Sequence, residues 1–347
     1  MNAIASFSSP VQDFALSVAR LCLWLVILSI IFVPLERLFA RTPAPWARPQ
    51  MGNDLFYYFF TSLFPAALLA LPLALLAKLV ALLVPAGLHA FVHQLPVWAA
   101  IAAGLVVADI GSYWGHRFSH EWPLIWRFHS LHHSAEHIDY LVNGRAHPID
   151  VVWVRMCGLV PVYILGLGST AGAGSIVPAV ITIVGTLASF FVHANVRWRF
   201  GPLEWLVATP AFHHWHHSKH DHINHNYAAT FPWIDAVFGT LYLAKHFPAE
   251  YGIADPLPTT IIGQMLAPFA VRHIPSTAAR EGNFQRMARP PVASSRLRHG
   301  DIPAATDSVP AFHACSAVFP AKRSTRFCNS QAGRRIAASP TVPGWRD

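Results

Sequence analysis

Fifteen of the 21 histidines in this 347-residue chain fall between His116 and His225. Their spacing is the strongest chemical signal in the sequence. It reads His116-Arg-Phe-Ser-His120, His129-Ser-Leu-His132-His133 and His213-His214-Trp-His216-His217. Residues three and four apart share one face of a helix, so each run presents imidazoles from one side. Three such faces converging supply eight nitrogen donors: His116, His120, His129, His132, His133, His213, His216 and His217. Eight donors suffice for two metal ions with positions left open for O2 or water. A lone HxxxH is weak evidence of a metal site, whereas two HxxHH runs beside an HxxxH leave little room for coincidence. His214, His220, His222 and His225 are surplus in a polar stretch and read as supporting or solvated. His89 and His93 read as interfacial, and His246, His273, His299 and His313 have no companions at ligand spacing.

Asp109 adds a further expectation. It lies in an apolar run, where an aspartate costs about 2.5–3.5 kcal/mol on insertion scales. Positions 109, 113, 116 and 120 form one helical stripe, so Asp109 faces the way His116 and His120 face. A metal-bound histidine usually donates its second N–H to such a group. The plainer reading is an aspartate hydrated near the end of a span.

The elements that must position these side chains read as membrane helices. The chain is 54% hydrophobic and 12% charged, about half the charge of an average soluble domain, with a mean hydropathy of +0.38. Five apolar stretches are candidates for spans of about 20 residues: 14–39, 55–84, 97–114, 151–167 and 176–192. The second is over-long and carries Pro65 and Pro72, which predicts a kink or tilt. The fourth and fifth, joined by a Gly/Ser/Ala turn, read as a hairpin that spans or dips. Arg37, Arg41 and Arg48 follow the first span, while 86–96 holds no Lys or Arg. Positive-inside bias then puts 37–54 in the cytoplasm. Both histidine-rich segments, 115–150 and 193–246, fall on that same side. The expected architecture is an all-α, multi-pass membrane helical bundle with a cytoplasmic, histidine-rich helical cap.

Three regions follow: an N-terminal span and basic loop (1–54), a membrane catalytic domain (55–273) and a disordered basic tail (274–347). The tail shifts to Pro, Ser, Ala and Arg. It carries the basicity too. Residues 1–273 hold 14 Lys+Arg against 13 Asp+Glu, and 274–347 hold 11 against 4. A charge confined to a tail argues against a nucleic-acid partner. The four cysteines form no CxxC pair, so neither a disulfide framework nor a zinc–thiolate site is indicated. The N-terminus does not read as a cleaved signal peptide.

The same residues resemble the fatty acid hydroxylase/sterol desaturase superfamily of integral-membrane di-iron enzymes. The likeness is carried by Asp109-Ile-Gly-Ser-Tyr113-Trp114-Gly-His116-Arg117-Phe-Ser-His120 and by Trp126-Arg-Phe-His129-Ser-Leu-His132-His133-Ser134. It continues in Asn143-Gly-Arg145-Ala-His147-Pro148, His193-Ala-Asn195, His213 to His217 with Asn226-Tyr227, and Phe238-Gly239-Thr240. It covers roughly residues 50–260. Ala228 stands where the family usually has Gly. The resemblance implies that the eight histidines above are metal ligands, with His147 and His193 further ligands or near neighbours. It makes Asp109, Glu121 and Asn195 the candidate catalytic residues. The pair His120-Glu121 is similar to the ether-lipid-cleaving monooxygenase branch.

Breaking an unactivated C–H bond calls for a redox-active metal, hence two iron ions with O2 as co-substrate. Imidazole alone suits zinc and copper as well as iron. No flavin, nicotinamide, haem-attachment or ferredoxin motif is visible, so electrons come from an external donor, either a redox protein or a reduced pterin. The substrate is a membrane lipid (sterol, fatty acyl or ether lipid), hydroxylated or desaturated. Tyr113, Trp114, Trp153, Phe190 and Phe191 are placed to line its route, although anchoring at an interface accounts for any one of them. A bacterial inner membrane is the expected location. The rival readings are a membrane zinc-dependent hydrolase, a metal-binding or transport protein, and a bis-histidine haem protein. HExxH is absent, transport ligands belong in mid-membrane, and haem ligation leaves most of these histidines unexplained.

Overall fold

A computed structural model describes residues 9–168, 176–220 and 222–270. The turn at 169–175 and the tail expected over 274–347 lie outside the described residues. Those described are mostly helical and form no strand, with two isolated bridges, Ala40 to Val196 and Ser218 to Tyr251.

Among the described residues three helices are long and apolar enough to cross a membrane: α1 (Pro10–Leu38), α2 (Met51–Leu83) and α4 (Val97–Glu121). Helix α1 starts at a capping box in which Ser9 and Gln12 satisfy each other's backbone amides, with Pro10 at the first helical position. Both devices quiet donors that a helix start leaves unpaired. The outward faces of α1 and α2 carry exposed large apolar residues, among them Leu23, Ile30, Leu71, Leu75 and Leu79. Water would penalise such faces and acyl chains would not.

The prolines of α2 do not divide it. The helix runs from Met51 to Leu83 through Pro65 and Pro72, as membrane helices do when neighbours and local adjustment satisfy the freed carbonyls. A short helix, α3 (Ala86–His93), occupies the expected loop, and His89 reaches the carbonyl of Ile164 at 3.1 Å. The fourth and fifth apolar stretches are helices of 17 residues, α6 (Pro148–Ile164) and α7 (Val177–His193). At about 1.5 Å per residue each falls short of a ~30 Å hydrocarbon core.

Helices α4 and α6 pack backbone to backbone. A Cβ on Gly111 would stand 2.2 Å from the Cys157 carbonyl, and one on Gly158 would stand 2.5 Å from Ser112 Oγ. Small residues at such crossings let membrane helices approach closely. Trp153 Nε1 adds a bond of 2.9 Å to the Gly115 carbonyl. This contact fixes the last two turns of α4, which carry His116 and His120. A second core joins Leu28 and Phe32 of α1 to Tyr58, Tyr140 and Phe190. It ties the membrane helices to the cap, whose helices are α5 (Pro123–His133), α8 (Pro210–His216) and α9 (Trp233–Phe238), followed by α10 (Ile261–Leu266).

Candidate metal centre

Helix α4 outruns its apolar segment and carries His116 and His120 past it. Pro123 restarts the chain as α5, whose last turns bear His129, His132 and His133. Helix α8 is capped by the Thr209 side chain on the Phe212 amide and presents His213 and His216, with His217 at its end. His193 closes α7. These ends meet and sort nine imidazoles into two groups. One holds His116, His120, His129, His133 and His216; the other holds His132, His193, His213 and His217. Within each group the ligand atoms lie within 4.8 Å of one another. The groups abut, with the His133 and His217 rings stacked at 4.4 Å.

Nitrogen faces nitrogen throughout. His193 Nε2 lies 3.1 Å from His213 Nε2, 3.1 Å from His217 Nε2 and 3.2 Å from His132 Nε2. His129 and His133 oppose their Nε2 atoms at 3.1 Å. Rings that all aim an acceptor at one point lack enough protons to bond one another pairwise, whereas a cation at about 2.0–2.1 Å from each would satisfy them. Nε2 of His216 is buried with no protein partner. Buried polar atoms left unpaired are rare and ask for a cause. The donor set therefore fits metal ions.

Five of the outer nitrogens are held by oxygen. Nδ1 of His116 bonds the Tyr227 carbonyl at 2.8 Å, His132 the Arg145 carbonyl at 3.0 Å, His193 the Ser189 carbonyl at 2.7 Å and His216 the His225 carbonyl at 2.8 Å. His129 alone has a carboxylate, Asp150 Oδ2 at 2.9 Å. Such bonds fix the tautomer and turn Nε2 inward. Burial holds the pKa of His132, His133, His213, His216 and His217 well below the ordinary imidazole range, and the neighbouring histidines push it further down. These five rings thus stand neutral and able to ligate.

Of the ten candidate ligands, nine enter the two groups and His147 does not. It caps α6, accepting from the Ile149 amide at 3.2 Å, and packs on Phe128 and Phe269. Asp109 touches no histidine, contrary to expectation. Its oxygens accept from the amides of Ala229, Thr230 and Phe231 at 2.8–3.2 Å. It acts at one remove, pinning the loop whose Tyr227 carbonyl holds His116. Helical phase brings it to the right side of α4, but two turns short of the rings.

Glu121 pairs with Arg117 at 2.7 Å, and Arg117 also bonds the Tyr113 hydroxyl. Asn195 brackets Thr42, donating to its carbonyl and accepting from its amide. His214 is buried between the Tyr251 hydroxyl and the Ala194 carbonyl. Tyr113 and Phe190 are buried packing residues, and Tyr113 bonds Thr240 Oγ1 at 2.9 Å. Asp150 escaped the sequence reading although it stands three residues after His147, at the start of a helix facing α5.

A family model described as fatty acid hydroxylase matches residues 101–240, the stretch that supplies every one of the nine imidazoles. Residues 101–240 of the chain thus match a fatty acid hydroxylase domain. An ornithine lipid hydroxylase of Rhizobium tropici is 33% identical over 184 residues, covering 52% of this chain and 54% of that protein. A human alkylglycerol monooxygenase is 31% identical, covering 47% and 34%, and an Arabidopsis thaliana methylsterol monooxygenase 27% identical, covering 42% and 55%. The chain thus spans about half or less of the length of these relatives. No solved structure matches it.

Proposed function

We propose that this chain is an integral-membrane lipid oxygenase of the fatty acid hydroxylase family, working through two iron ions, with O2 and externally supplied electrons. The observation that carries the reading is the pair of abutting all-histidine groups. His116, His120, His129, His133 and His216 would hold one ion, and His132, His193, His213 and His217 the other. Two redox-active ions would supply electrons for cleaving O2 and the oxidising power to take electrons from a C–H bond; imidazole ligation alone leaves the metal open. The chain's own part is to bury the nine rings together and to fix the tautomers of His116, His129, His132, His193 and His216. The relatives' names, ornithine lipid hydroxylase and alkylglycerol monooxygenase, support a lipid with a polar head as substrate. Three apolar helices support delivery of that lipid from the membrane. Positive-inside bias supports cytoplasmic histidines and, in a bacterium, the inner membrane. Asp109, Asn195 and Glu121 serve as positioning residues in this reading, because each contacts protein groups rather than the rings.

The test is metal and product analysis of detergent-purified protein. Wild type is expected to carry two irons per chain, with His132→Ala and His216→Ala each losing iron, and to place 18O from 18O2 in a membrane lipid. A single tightly held zinc, or iron unmoved by either substitution, would favour the hydrolase or transport reading instead.

A further inference from the structure

The four-histidine group contains no ring bonded to a carboxylate, yet one buried and one half-buried carboxylate stand nearby, Asp54 and Asp139. Asp54, at the start of α2, is fully buried. Its Oδ1 lies 2.5 Å from Arg145 Nε, and its Oδ2 2.6 Å from Arg48 Nη2. Arg48 also grips both oxygens of Asp139. Arg145 donates a second bond of 2.7 Å to Gln50 Oε1 and is among the largest fully buried side chains of the described residues. Two guanidiniums and two carboxylates therefore balance. Such a cluster is costly to desolvate and costlier to leave half-paired.

Its position supplies a reason for it. Asp139 caps the 3-10 turn Tyr140–Gly144 through the Leu141 amide, and Arg145 is the residue on which that turn ends. Helix α2 presses on the turn at Gly144, where a Cβ would stand 3.0 Å from Tyr58 Cα, and Thr61 Oγ1 bonds the Gly144 carbonyl. The carbonyl of Arg145 then takes the proton of His132 Nδ1 at 3.0 Å. His129 has its carboxylate directly. His132 has one through the side chain of the residue whose carbonyl it uses.

We infer that the Arg48–Asp54–Asp139–Arg145 cluster positions His132 and hence the four-histidine group, with Asp54 as a positioning residue for the metal bound there. Asp54 fixes the Arg145 side chain, the side chain fixes the carbonyl, and the carbonyl selects the tautomer that turns Nε2 toward His193. This inference rests on the two-metal reading and adds a dependence of one ion on a residue of a membrane helix.

The test loads full-length protein in detergent with Co2+ and reads ions per chain and visible absorption. Wild type is expected to bind two ions. His129→Ala, which opens the five-histidine group, is expected to bind one. Adding Asp54→Asn to His129→Ala is expected to weaken the remaining ion at least about tenfold, the scale of support lost from behind a ligand. Glu204→Gln is the control. Glu204 is equally buried and paired with Arg199, but its bonds stay within residues 199–204. It is expected to lower the melting temperature and keep both ions. Arg145→Lys keeps the charges balanced and gives up one hold on the turn, so it carries the test if Asp54→Asn fails to fold; the same selective loss is expected. A remaining ion held as tightly after adding Asp54→Asn or Arg145→Lys as in His129→Ala alone would overturn the inference while leaving the two-metal reading intact. Equal metal loss in Glu204→Gln would overturn it too. Wild type without two ions would overturn both.

Discussion

The two histidine groups lie side by side and are held by different means. In the five-membered group, His129 leans on the Asp150 carboxylate, and His116 and His216 lean on the carbonyls of Tyr227 and His225. In the four-membered group only carbonyls touch the rings, those of Arg145 for His132 and Ser189 for His193. Hydrogen bonds to an ionised partner are roughly twice as strong as neutral ones. The fold therefore spends a carboxylate on one group and a distant ion cluster on the other. Stacking of His133 on His217 at 4.4 Å joins them, so the comparison can be broken from either side.

The largest effect is expected from removing a ligand. His216 is completely buried, and its Nε2 has no protein partner. His216→Ala is expected to empty the five-membered group, leave one ion per chain by elemental analysis and abolish lipid oxidation. Two ions retained would show that the group does not bind metal as a unit. Next comes Asp150→Asn, which keeps the shape and removes the charge behind His129. Metal affinity of the five-membered group is expected to fall about 10–100-fold. The four-membered group is expected to hold its ion unchanged in a competitive chelator titration. A loss shared equally by both ions would erase the distinction between the groups.

Much of this was legible in the sequence, and what was not has physical causes. Helical spacing brings His116/His120, His129/His133 and His213/His217 each into one group, because i and i+4 share a face. Spacing did not say that His132 would leave His129 and His133 for the other group. At i+3 its ring points to the neighbouring side of α5, and that sorting depends on where α7 delivers His193. Asp109 was placed on the correct stripe of α4, but period alone carries no information about which loop reaches it. Asp150 was missed for the opposite reason. Its role comes from the α4–α6 contact through Gly111 and Gly158, a long-range packing event with no local pattern. The apolar runs of α1, α2 and α4 stood out because each is longer than a soluble core requires. Helix α3 hid in a stretch read as a loop because eight residues with little polarity contrast give no period to count.

A smaller effect is expected at Asp109. Its carboxylate accepts from three consecutive amides, at Ala229, Thr230 and Phe231, and Asp109→Asn replaces one acceptor oxygen with a donor. Leaving a buried amide unmet costs about 1–3 kcal/mol, so denaturant unfolding in detergent is expected to show a loss of that order. The loop 229–231 bears on the site at one remove, through neighbouring Tyr227, which holds His116 by its carbonyl and packs its ring on His116, His120 and His216, so both ions are expected to remain. An ion lost from the five-membered group at wild-type stability would mean that Asp109 acts on the rings more directly than its bonds indicate.

The smallest effect is expected at His147, and it separates sequence motif from ligand most sharply. His147 stands in a motif with Arg145, but its Nδ1 accepts from the Ile149 amide as the cap of α6. A helix cap contributes roughly 1 kcal/mol. The ring also packs between Phe128 and Phe269, and Phe128 directly precedes the ligand His129. His147→Asn preserves a capping oxygen and gives up the aromatic contact, whereas His147→Phe does the reverse. Neither is expected to change the count of two ions per chain, and each is expected to lower the melting temperature by only a few degrees, near the ~4–8 °C per kcal/mol typical of small domains or below it. If His147→Asn and His147→Phe both lost an ion, His147 would be a ligand that moves into place when metal binds. The nine-ring sorting would then describe only the metal-free arrangement of the centre.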